Sequence, residues 1–446
     1  MDQSLDSVGM RRRERAYRLL IFSSFLLYIV LTSAKNLYTA EKTTLYTLGT
    51  FGSLTDLAST MEYYFYTYAV MQVLLVFLIK KINLKWYLTL TLALSALLTA
   101  LMAFTGQLRE HYLLYTVNGF LQAGVWGCSI KVLGVYLPAR LLPIANQLMA
   151  SGPALAGALA YGVAALFGEN WRTPFLFLGV LLLLCVALYF FSVTYVSRFP
   201  REVHTHTVVR ADGSREEVSD EEENDFIHLK SRKRVFWFYV FSVIVGVALT
   251  AIYFAINNNL DVFFKEVGGL SNDLAKWLTI VSPLLATLGP VIVVRLCEWH
   301  RNFITVCAVA FTLSLVLMLL ITLFFEQNVI LSLVLLSLYL VVVNGGRSVS
   351  LSIAALRMRE RIDAGVYTTM INAAASIVAG VAPKLITSIL DREELSVSES
   401  WQSAFFTVLI WNAVIVLALF LLRFAVKLLN RRDEKRAAAR AAERSL

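Results

Sequence analysis

The chain has 446 residues, of which 58% are hydrophobic and only 16% are charged, and its mean hydropathy is +0.67. A soluble protein of this length cannot hide so large an apolar fraction, so the composition indicates a membrane protein. The formal net charge of +9 would suit a nucleic-acid-binding protein, but the positions of the basic residues argue against that role.

Twelve apolar windows of about 20 residues, the length that crosses a bilayer core, follow one another along the chain. The first six lie near 18–38, 60–80, 86–104, 112–135, 143–167 and 173–194. The other six lie near 235–256, 273–296, 303–325, 329–354, 366–390 and 401–424. The windows predict an all-α membrane protein whose twelve transmembrane helices form two six-helix bundles.

This pattern divides the chain into five parts. We expect an N-terminal segment at 1–17, a first bundle at 18–194, a linker at 195–234, a second bundle at 235–424 and a basic tail at 425–446. The N-terminal segment shows no cleavable signal peptide, because the apolar run after it is long enough to span. The linker carries the acidic patch DEEEND and reads as a solvated connection between the bundles.

The basic residues report the orientation of the spans. Most of the 40 Lys and Arg lie in the two terminal segments and in every second connection, including RRRER at 11–15 and SRKR at 231–234. Cytoplasmic loops carry such an excess, so both termini are predicted to be cytoplasmic. The opposite connections carry few basic residues, such as Lys42, Arg109 and Lys265.

The two halves of the chain resemble each other weakly. The fourth and tenth spans contain VNGF and VNGG, and the fifth and eleventh contain NQLMASGPALAG and TTMINAAASIVAG. The sixth and twelfth spans begin NWRTPFLFLGV and SWQSAFFTVLI, which places Trp171 opposite Trp401. Three pairs of similar segments in the same order indicate duplicated halves related by pseudo-symmetry, as in many transporters.

A lysine inside the first span is the most informative polar residue. Lys35 shares one helix face with Tyr28, Thr32 and Thr39, which are spaced at the helical period. An ammonium group at a helix centre costs about 2.5–3.5 kcal/mol on insertion scales, so this face is expected to line an aqueous cavity. The alternative is that Lys35 extends to the nearer interface and has a structural role.

Other spans carry polar or aromatic residues that could face the same cavity. The candidate substrate-binding residues beside Lys35 are Tyr68, Gln72, Asn118, Trp126, Lys131, Tyr253, Asn257, Arg347 and Asn372. Asparagine and tyrosine in apolar helices also form hydrogen bonds between helices, which is the alternative for the uncharged candidates. For Lys131, a cytoplasmic gate pair or an interfacial position is an equal alternative. An unpaired guanidinium at Arg347 would be very costly, which favours a functional role.

No motif in the sequence indicates an enzyme. The chain lacks HExxH, GxSxG and a P-loop, and its cysteines have neither metal-type spacing nor a CxxC pair. We therefore expect no cofactor and no metal site. Without a nucleotide-binding domain, transport would depend on a gradient of solute or ions.

Three segments resemble the organophosphate:phosphate antiporters, the major facilitator group that contains the glycerol-3-phosphate and hexose-phosphate transporters. They are RAYRLLIFSSFLLYIVLTSAKN, GFLQAGVWGCSIKVL and DVFFKEVGG. The resemblance runs through most of the chain and implies the major facilitator fold and a secondary transporter. It aligns Gln122 and Trp126 with the family's fourth span and keeps the second-span tyrosine as Tyr68.

The resemblance also shows that this chain lacks the family's phosphate-binding arginines. The first-span arginine aligns with Ala34, which leaves Lys35 as the surviving base, and the seventh-span arginine falls near Tyr253. Gln72 replaces a lysine, and Pro153 stands where the family has a histidine. Because a bidentate guanidinium is hard to replace at a phosphate, exchange of inorganic phosphate is not expected.

These observations predict a secondary active transporter that moves a small polar, anionic organic solute across the plasma membrane. The solute would be like an organophosphate or a carboxylate, with Lys35 and Arg347 binding its anionic group. We expect a monomer coupled to a counter-transported anion or a proton; exchange is favoured because Glu62 is the first half's one carboxylate in a predicted span. The alternatives are transport of a neutral or cationic solute, and a non-transporting receptor or scaffold that docks a partner through 195–234.

Overall fold

A computed structural model describes residues 2–49, 51–79, 81–138, 140–199, 205–209, 215–219, 233–300, 303–348 and 364–444. The acidic patch at 220–225 and the last part of the predicted tenth span, 349–354, lie outside these residues. So do the loop arginines at 357, 359 and 361.

The described chain is helical apart from one short hairpin. The first half contains α1 (Asp2–Thr47), α2 (Leu54–Leu78), α3 (Leu84–Leu101), α4 (Leu108–Gln122), α5 (Val125–Tyr136), α6 (Leu142–Phe167) and α7 (Arg172–Val196). The hairpin pairs β1 (Thr205–Val209) with β2 (Arg215–Ser219) in antiparallel register. The second half contains α8 (Lys233–Asn257), α9 (Leu260–Glu266), α10 (Asn272–Ala286), α11 (Leu288–His300), α12 (Phe303–Phe324), α13 (Val329–Ser348), α14 (Ala364–Leu390) and α15 (Val397–Arg444).

These helices confirm the all-α membrane fold with two six-helix bundles. Ten helices among the described residues are long and apolar enough to cross a membrane. The fourth span is divided between α4 and α5, and the ninth is α12, which completes the twelve. The linker contains the β1–β2 hairpin, and α15 continues the last span through the predicted tail.

The largest difference from the predicted spans is the length of α1. Its apolar part runs from Met10 to Thr47 without interruption, although hydropathy alone ends the span at residue 38. The extra turns contain the charged pair Glu41 and Lys42, both buried. Lys42 was expected in a loop, and the structure corrects this: it is part of the helix, and its charge is satisfied by contacts with the second bundle described below.

A proline explains why the eighth span is divided into α10 and α11. In a continuous helix the carbonyl of Ala286 would accept a hydrogen bond from the residue four positions later, but that residue is Pro290, which has no N–H. The side-chain amide of Asn344 on α13 donates to this carbonyl instead, at 2.9 Å. Asn344 therefore stabilises the break and ties α13 to it.

Each bundle has its own hydrophobic core, and equivalent aromatic pairs close one end of both cores. In the first bundle Trp171 packs edge-to-face on Phe51, with ring centroids 5.2 Å apart. In the second, Trp401 packs on Phe263 in the same way at 5.1 Å. Trp171 and Trp401 thus occupy equivalent positions, as the sequence repeat predicted.

The bundles contact each other mainly through α2 against α14 and α6 against α10. At the first contact, Gly380 of α14 lies so close to α2 that an added Cβ would come within 2.8 Å of the Glu62 Cα. A larger residue at this position would force the helices apart. The approach brings side chains of the two bundles together along a central seam.

Candidate functional site

Two basic side chains, one from each bundle, lie near each other at the seam. Lys35 is on α1 and Arg347 is on α13, and their positive charges are close enough to repel each other. Both side chains are partly buried. The proximity of Arg347, a residue of the opposite bundle, places the Lys35 ammonium group between the bundles.

An aromatic pair that crosses the seam lies beneath both cations. Phe65 of α2 and Phe254 of α8 pack edge-to-face with centroids 6.0 Å apart. The Lys35 Nζ lies 5.8 Å from the centre of the Phe65 ring, and the Arg347 Cζ lies 5.7 Å from that of Phe254. Cations within about 6 Å of a ring centre are attracted to its face, so the pair helps hold both charges in the seam.

Further aromatic residues surround the two cations. The Arg347 guanidinium also lies over Tyr253, with its Cζ 5.1 Å from the ring centre. Tyr28 interacts with Arg347 and packs against Trp126 at 5.2 Å. We use the name central site for the residues that make these contacts and for the neighbouring Tyr68–Gln72 pair, which lies beside Tyr28. Its members are Tyr28, Lys35, Phe65, Tyr68, Gln72, Trp126, Tyr253, Phe254 and Arg347.

Backbone contacts on both sides of Lys35 fix its position on α1. The hydroxyl of Tyr115 on α4 donates to the carbonyl of Lys35, and Ser33 donates to the carbonyl of Ala156 on α6 at 3.0 Å. Ala34, where the resembling family has its arginine, is only 2% exposed and belongs to the first core. The lysine side chain is therefore directed to the seam by a helix whose backbone is held from two sides.

Close helix packing fixes Arg347 in a similar way. An added Cβ on Gly289 of α11 would come within 2.0 Å of the Val341 carbonyl oxygen, and one on Gly345 within 2.5 Å of a Val293 methyl group. The two glycines let α11 and α13 cross with almost no space between them. Arg347 follows two residues after this crossing, at the end of α13.

The two cations have no acidic partner in the part of the chain that the structure describes. Neither side chain forms a hydrogen bond or an ion pair there; their contacts are with the ring faces. Lys35 and Arg347 thus form a positively charged, aromatic-lined site without an acidic side chain among the described residues. The described residues also contain no group of three metal ligands.

Four other candidates lie outside this group, and two of them have structural contacts. Asn118 is 1% exposed and donates to Thr99 of α3 at 3.2 Å, so it joins two helices of one bundle. Lys131 is exposed, and its Nζ lies 3.4 Å from the Ile79 carbonyl at the end of α2. The observed contacts of Asn118 and Lys131 are therefore with groups other than Lys35 and Arg347, and their part in binding stays a prediction.

Asn257 and Asn372 remain candidates; among the described residues the Asn257 side chain donates to the Asn258 Oδ1 at 3.3 Å. Asn257 lies one helical turn after Tyr253, and its Oδ1 is buried without a partner among the described residues. Asn372 of α14 is partly buried, and its carbonyl accepts from Ser376 at 2.7 Å. Asn257 is the last residue of α8.

At the end of the molecule where α1 stops and α2 begins, polar contacts join the bundles directly. Lys276 of α10 forms an ion pair with Glu41 of α1 at 2.9 Å, and both side chains are completely buried. Lys42 donates to the Asn258 carbonyl at 2.6 Å and to the Asn259 Oδ1 at 2.5 Å. We call these residues, together with Thr43 and its hydrogen-bond acceptor Asp261, the end cluster: Glu41, Lys42, Thr43, Asn258, Asn259, Asp261 and Lys276.

Two contacts between α2 and α14 extend this closure. Lys384 pairs with Glu62 at 2.6 Å, and the Asp391 carboxylate accepts from the backbone N–H of Thr55 at 2.7 Å. An acidic group at a helix N-terminus is favourable, because the first N–H groups of a helix have no partner within it. Among the described residues, every hydrogen bond between the bundles lies in this half of the seam, which is therefore closed.

A family model described as Major Facilitator Superfamily matches residues 19–383. The chain belongs to this superfamily. Its members are generally carriers that catalyse no reaction, which accords with the absence of an enzyme motif in the sequence. This match does not distinguish the organophosphate:phosphate antiporters, which the sequence resembles, from the other groups of the superfamily.

Solved structures share the superfamily fold at low sequence identity. A bacterial homologue of the human lysosomal transporter Spinster, in an inward-facing and unoccupied conformation, superposes with a TM-score of 0.74 at 12% identity, over 91% of this chain and 96% of the other. The D-xylose-proton symporter gives 0.69 at 14% identity over 90% and 96%. The nucleoside transporter NupG gives 0.62 at 15% identity over 91% and 98%. No curated protein sequence matches the chain.

Several residues that lie at the seam between the two bundles were not identified from the sequence. Phe65 and Phe254 are apolar residues in apolar windows, so nothing marked them. Lys276 and Lys384 do lie inside predicted spans, and a charge in a span calls for a partner of opposite sign. That rule would have identified Glu62 as the partner of Lys384. It would have missed Glu41, the partner of Lys276, because Glu41 lay beyond the predicted end of the first span.

Proposed function

We propose that this superfamily member is a secondary active transporter of a small organic anion, which binds at the central site and crosses by alternating access. One observation carries the proposal: Lys35 and Arg347, one from each bundle, lie over the two rings of the Phe65–Phe254 pair that crosses the seam, with no acidic partner among the described residues. Removing a charge from water costs several kcal/mol unless it is paired, and like charges add repulsion. An anion between them would relieve both costs.

The geometry gives the site residues different roles. Arg347 offers a planar fork that matches a carboxylate or phosphate group, and Lys35 adds a compact second charge from the opposite bundle. Gln72 has a buried Oε1 without a partner among the described residues. Together with the neighbouring Tyr68 hydroxyl, the Gln72 side chain can form hydrogen bonds with the solute. Asn257 and Asn372 would add hydrogen bonds as the bundles move.

The closed half of the seam fits one step of alternating access. With the orientation expected from the basic loops, both termini lie in the cytoplasm and the end cluster faces the other side of the plasma membrane. The protein would then be closed to the outside. This is the arrangement of an inward-facing transporter, and the Spinster homologue is described as inward-facing. Release of the end cluster would open the outer side, each monomer acting alone.

The coupling ion is a second part of the proposal. The scarcity of carboxylates in predicted spans favoured anion exchange over proton symport, but α1 and α9 place Glu41 and Asp261 at the seam as well. Glu41 and Glu62 are already paired with lysines, so exchange remains our proposal. Uptake into liposomes preloaded with unlabelled anion, compared with uptake driven by a proton gradient, separates the two mechanisms.

Binding of anions to the purified protein tests the proposal directly. A ligand that binds the native state raises its stability by about 2.7 kcal/mol at 100 times its dissociation constant, so a thermal-unfolding screen of phosphorylated and carboxylated metabolites should find stabilising anions. Lys35→Ala and Arg347→Ala should abolish the stabilisation and the uptake of those anions, whereas Lys131→Ala should preserve both. If both site variants keep full uptake, the solute is neutral or cationic and the proposal is wrong.

A further inference from the structure

The central site contains far more aromatic surface than an anion alone requires. Its cations rest on Phe65, Phe254 and Tyr253, at 5.1–5.8 Å from the ring centres. Tyr28 and Trp126 pack against each other at 5.2 Å on the same seam. Two charged groups thus lie among five rings contributed by both bundles.

The amides of α4 lie outside the central site and take part in hydrogen bonds within the first bundle. Gln122, which lies on the face of α4 that also carries Asn118, accepts from the Tyr64 hydroxyl at 2.7 Å and donates to Ser95 at 2.8 Å. Asn118 donates to Thr99 in the same bundle. The neutral polar groups of the central site itself are the Gln72 amide, whose Oε1 has no partner among the described residues, and the polar atoms of its tyrosines and tryptophan.

Most of the surface at the central site is aromatic, and this favours a particular kind of solute. A planar ring would gain contacts with the aromatic walls, which favour edge-to-face and offset-stacked neighbours. The site therefore suits a charged group attached to a planar ring.

We infer that the solute is an organic anion with an aromatic ring, an inference that rests on the proposed function of the central site. The anionic group binds between Lys35 and Arg347. The ring packs against the Phe65–Phe254 pair, next to Tyr28 and Trp126. Because Phe65 and Phe254 belong to different bundles, a ring held there contacts both halves of the protein at once.

Matched probes separate the ring from the charge. Benzoate and cyclohexanecarboxylate carry the same charge on bodies of similar size, and only benzoate is aromatic; glycerol 3-phosphate is an anion with hydroxyl groups; benzyl alcohol is aromatic and neutral. We expect the purified protein to bind benzoate about tenfold more tightly than cyclohexanecarboxylate, the scale of one or two aromatic contacts. Glycerol 3-phosphate and benzyl alcohol should bind more weakly still.

Variants of Phe65 and Phe254 test whether these two rings cause the preference for benzoate over cyclohexanecarboxylate. Phe65→Leu and Phe254→Leu keep an apolar side chain and should reduce the preference for benzoate over cyclohexanecarboxylate to about twofold or less. Phe104→Leu is the matched control, since Phe104 is 72% exposed on the outside of the first bundle. It should keep the wild-type preference.

The outcomes distinguish failure of the inference from failure of the proposed function. Equal binding of benzoate, cyclohexanecarboxylate and glycerol 3-phosphate would overturn the aromatic inference and leave the anion transporter intact. Equal binding of benzyl alcohol and benzoate would overturn the anion proposal itself. A benzoate preference that survives both phenylalanine variants, or no binding of benzoate, would overturn the assignment of the ring to this pair.

Discussion

Lys35 and Lys42 lie seven residues apart on the same face of α1, and both are directed to the opposite bundle. Lys42 is 3% exposed and has two oxygen partners within 2.6 Å, with Asp261 of the same cluster nearby. Lys35 has only the Phe65 ring and the repelling charge of Arg347. The comparison shows how to separate structural charges from functional ones: the end cluster contains two carboxylates for its two lysines, whereas the central site has no acidic side chain among the described residues.

The end cluster and the central site therefore respond to mutation in opposite ways. Removing one member of a satisfied pair leaves a buried charge alone, which is costly. Removing one of two repelling charges relieves the fold but weakens the binding of an anion. The predictions below test this contrast, beginning with the largest expected effect.

The largest effect is expected at the buried ion pair. Lys276→Met should lower the free energy of unfolding by about 3–5 kcal/mol, because Glu41 stays buried without its partner. The double variant Glu41→Gln/Lys276→Met removes both charges and should recover most of the loss. Thermal unfolding of the purified variants measures both values. A single variant as stable as wild type would show that the pair does not hold the bundles together.

The next largest effect is expected on uptake. Arg347→Ala should reduce kcat/KM for anion uptake about 100-fold, the scale for truncating one member of a buried charged contact. Arg347→Lys should restore only part of the activity, because an ammonium group cannot form the bidentate contact. Arg392→Ala, an exposed arginine near the closed end, serves as the control and should transport normally. Full recovery by lysine would argue against bidentate binding.

A smaller loss is expected at Lys42. Lys42→Met leaves the Asn259 Oδ1 and the Asn258 carbonyl without their donor and leaves Asp261 without its nearby cation. Stability should fall by about 1–3 kcal/mol, the cost of an unsatisfied buried polar group. Thermal unfolding without ligand provides the measurement. An unchanged unfolding temperature would mean that water replaces the lysine at no cost.

The smallest effects are expected at the two candidates that lie away from the site. Asn118→Ala should cost about 1 kcal/mol of stability by removing its bond to Thr99, with no change in anion affinity. Lys131→Ala should change stability by about 0.5 kcal/mol or less, as is usual for exposed positions. Anion titrations of both variants check this. A large loss of affinity in either would return that residue to the binding site.

The sequence was enough for the fold and drew attention to Lys35 and Arg347, and it was insufficient where tertiary contacts override local pattern. Hydropathy located the spans because the bilayer sets their length and composition. It ended the first span too early, because Glu41 is stabilised by α10 and Lys42 by the two residues between α8 and α9, all of which are distant in sequence. Asn118 was assigned to the cavity because helical spacing gives a face but does not say which neighbour that face contacts.

The central claim is tested most directly by the stability of Lys35→Met, measured with and without a stabilising anion. We predict a reversal of sign. Without ligand, the variant should be more stable than wild type by about 1 kcal/mol, since a repelling charge is gone; with saturating anion, it should be less stable, since the ligand binds it more weakly. A variant that is less stable than wild type without ligand, yet gains as much from the anion, would contradict the account.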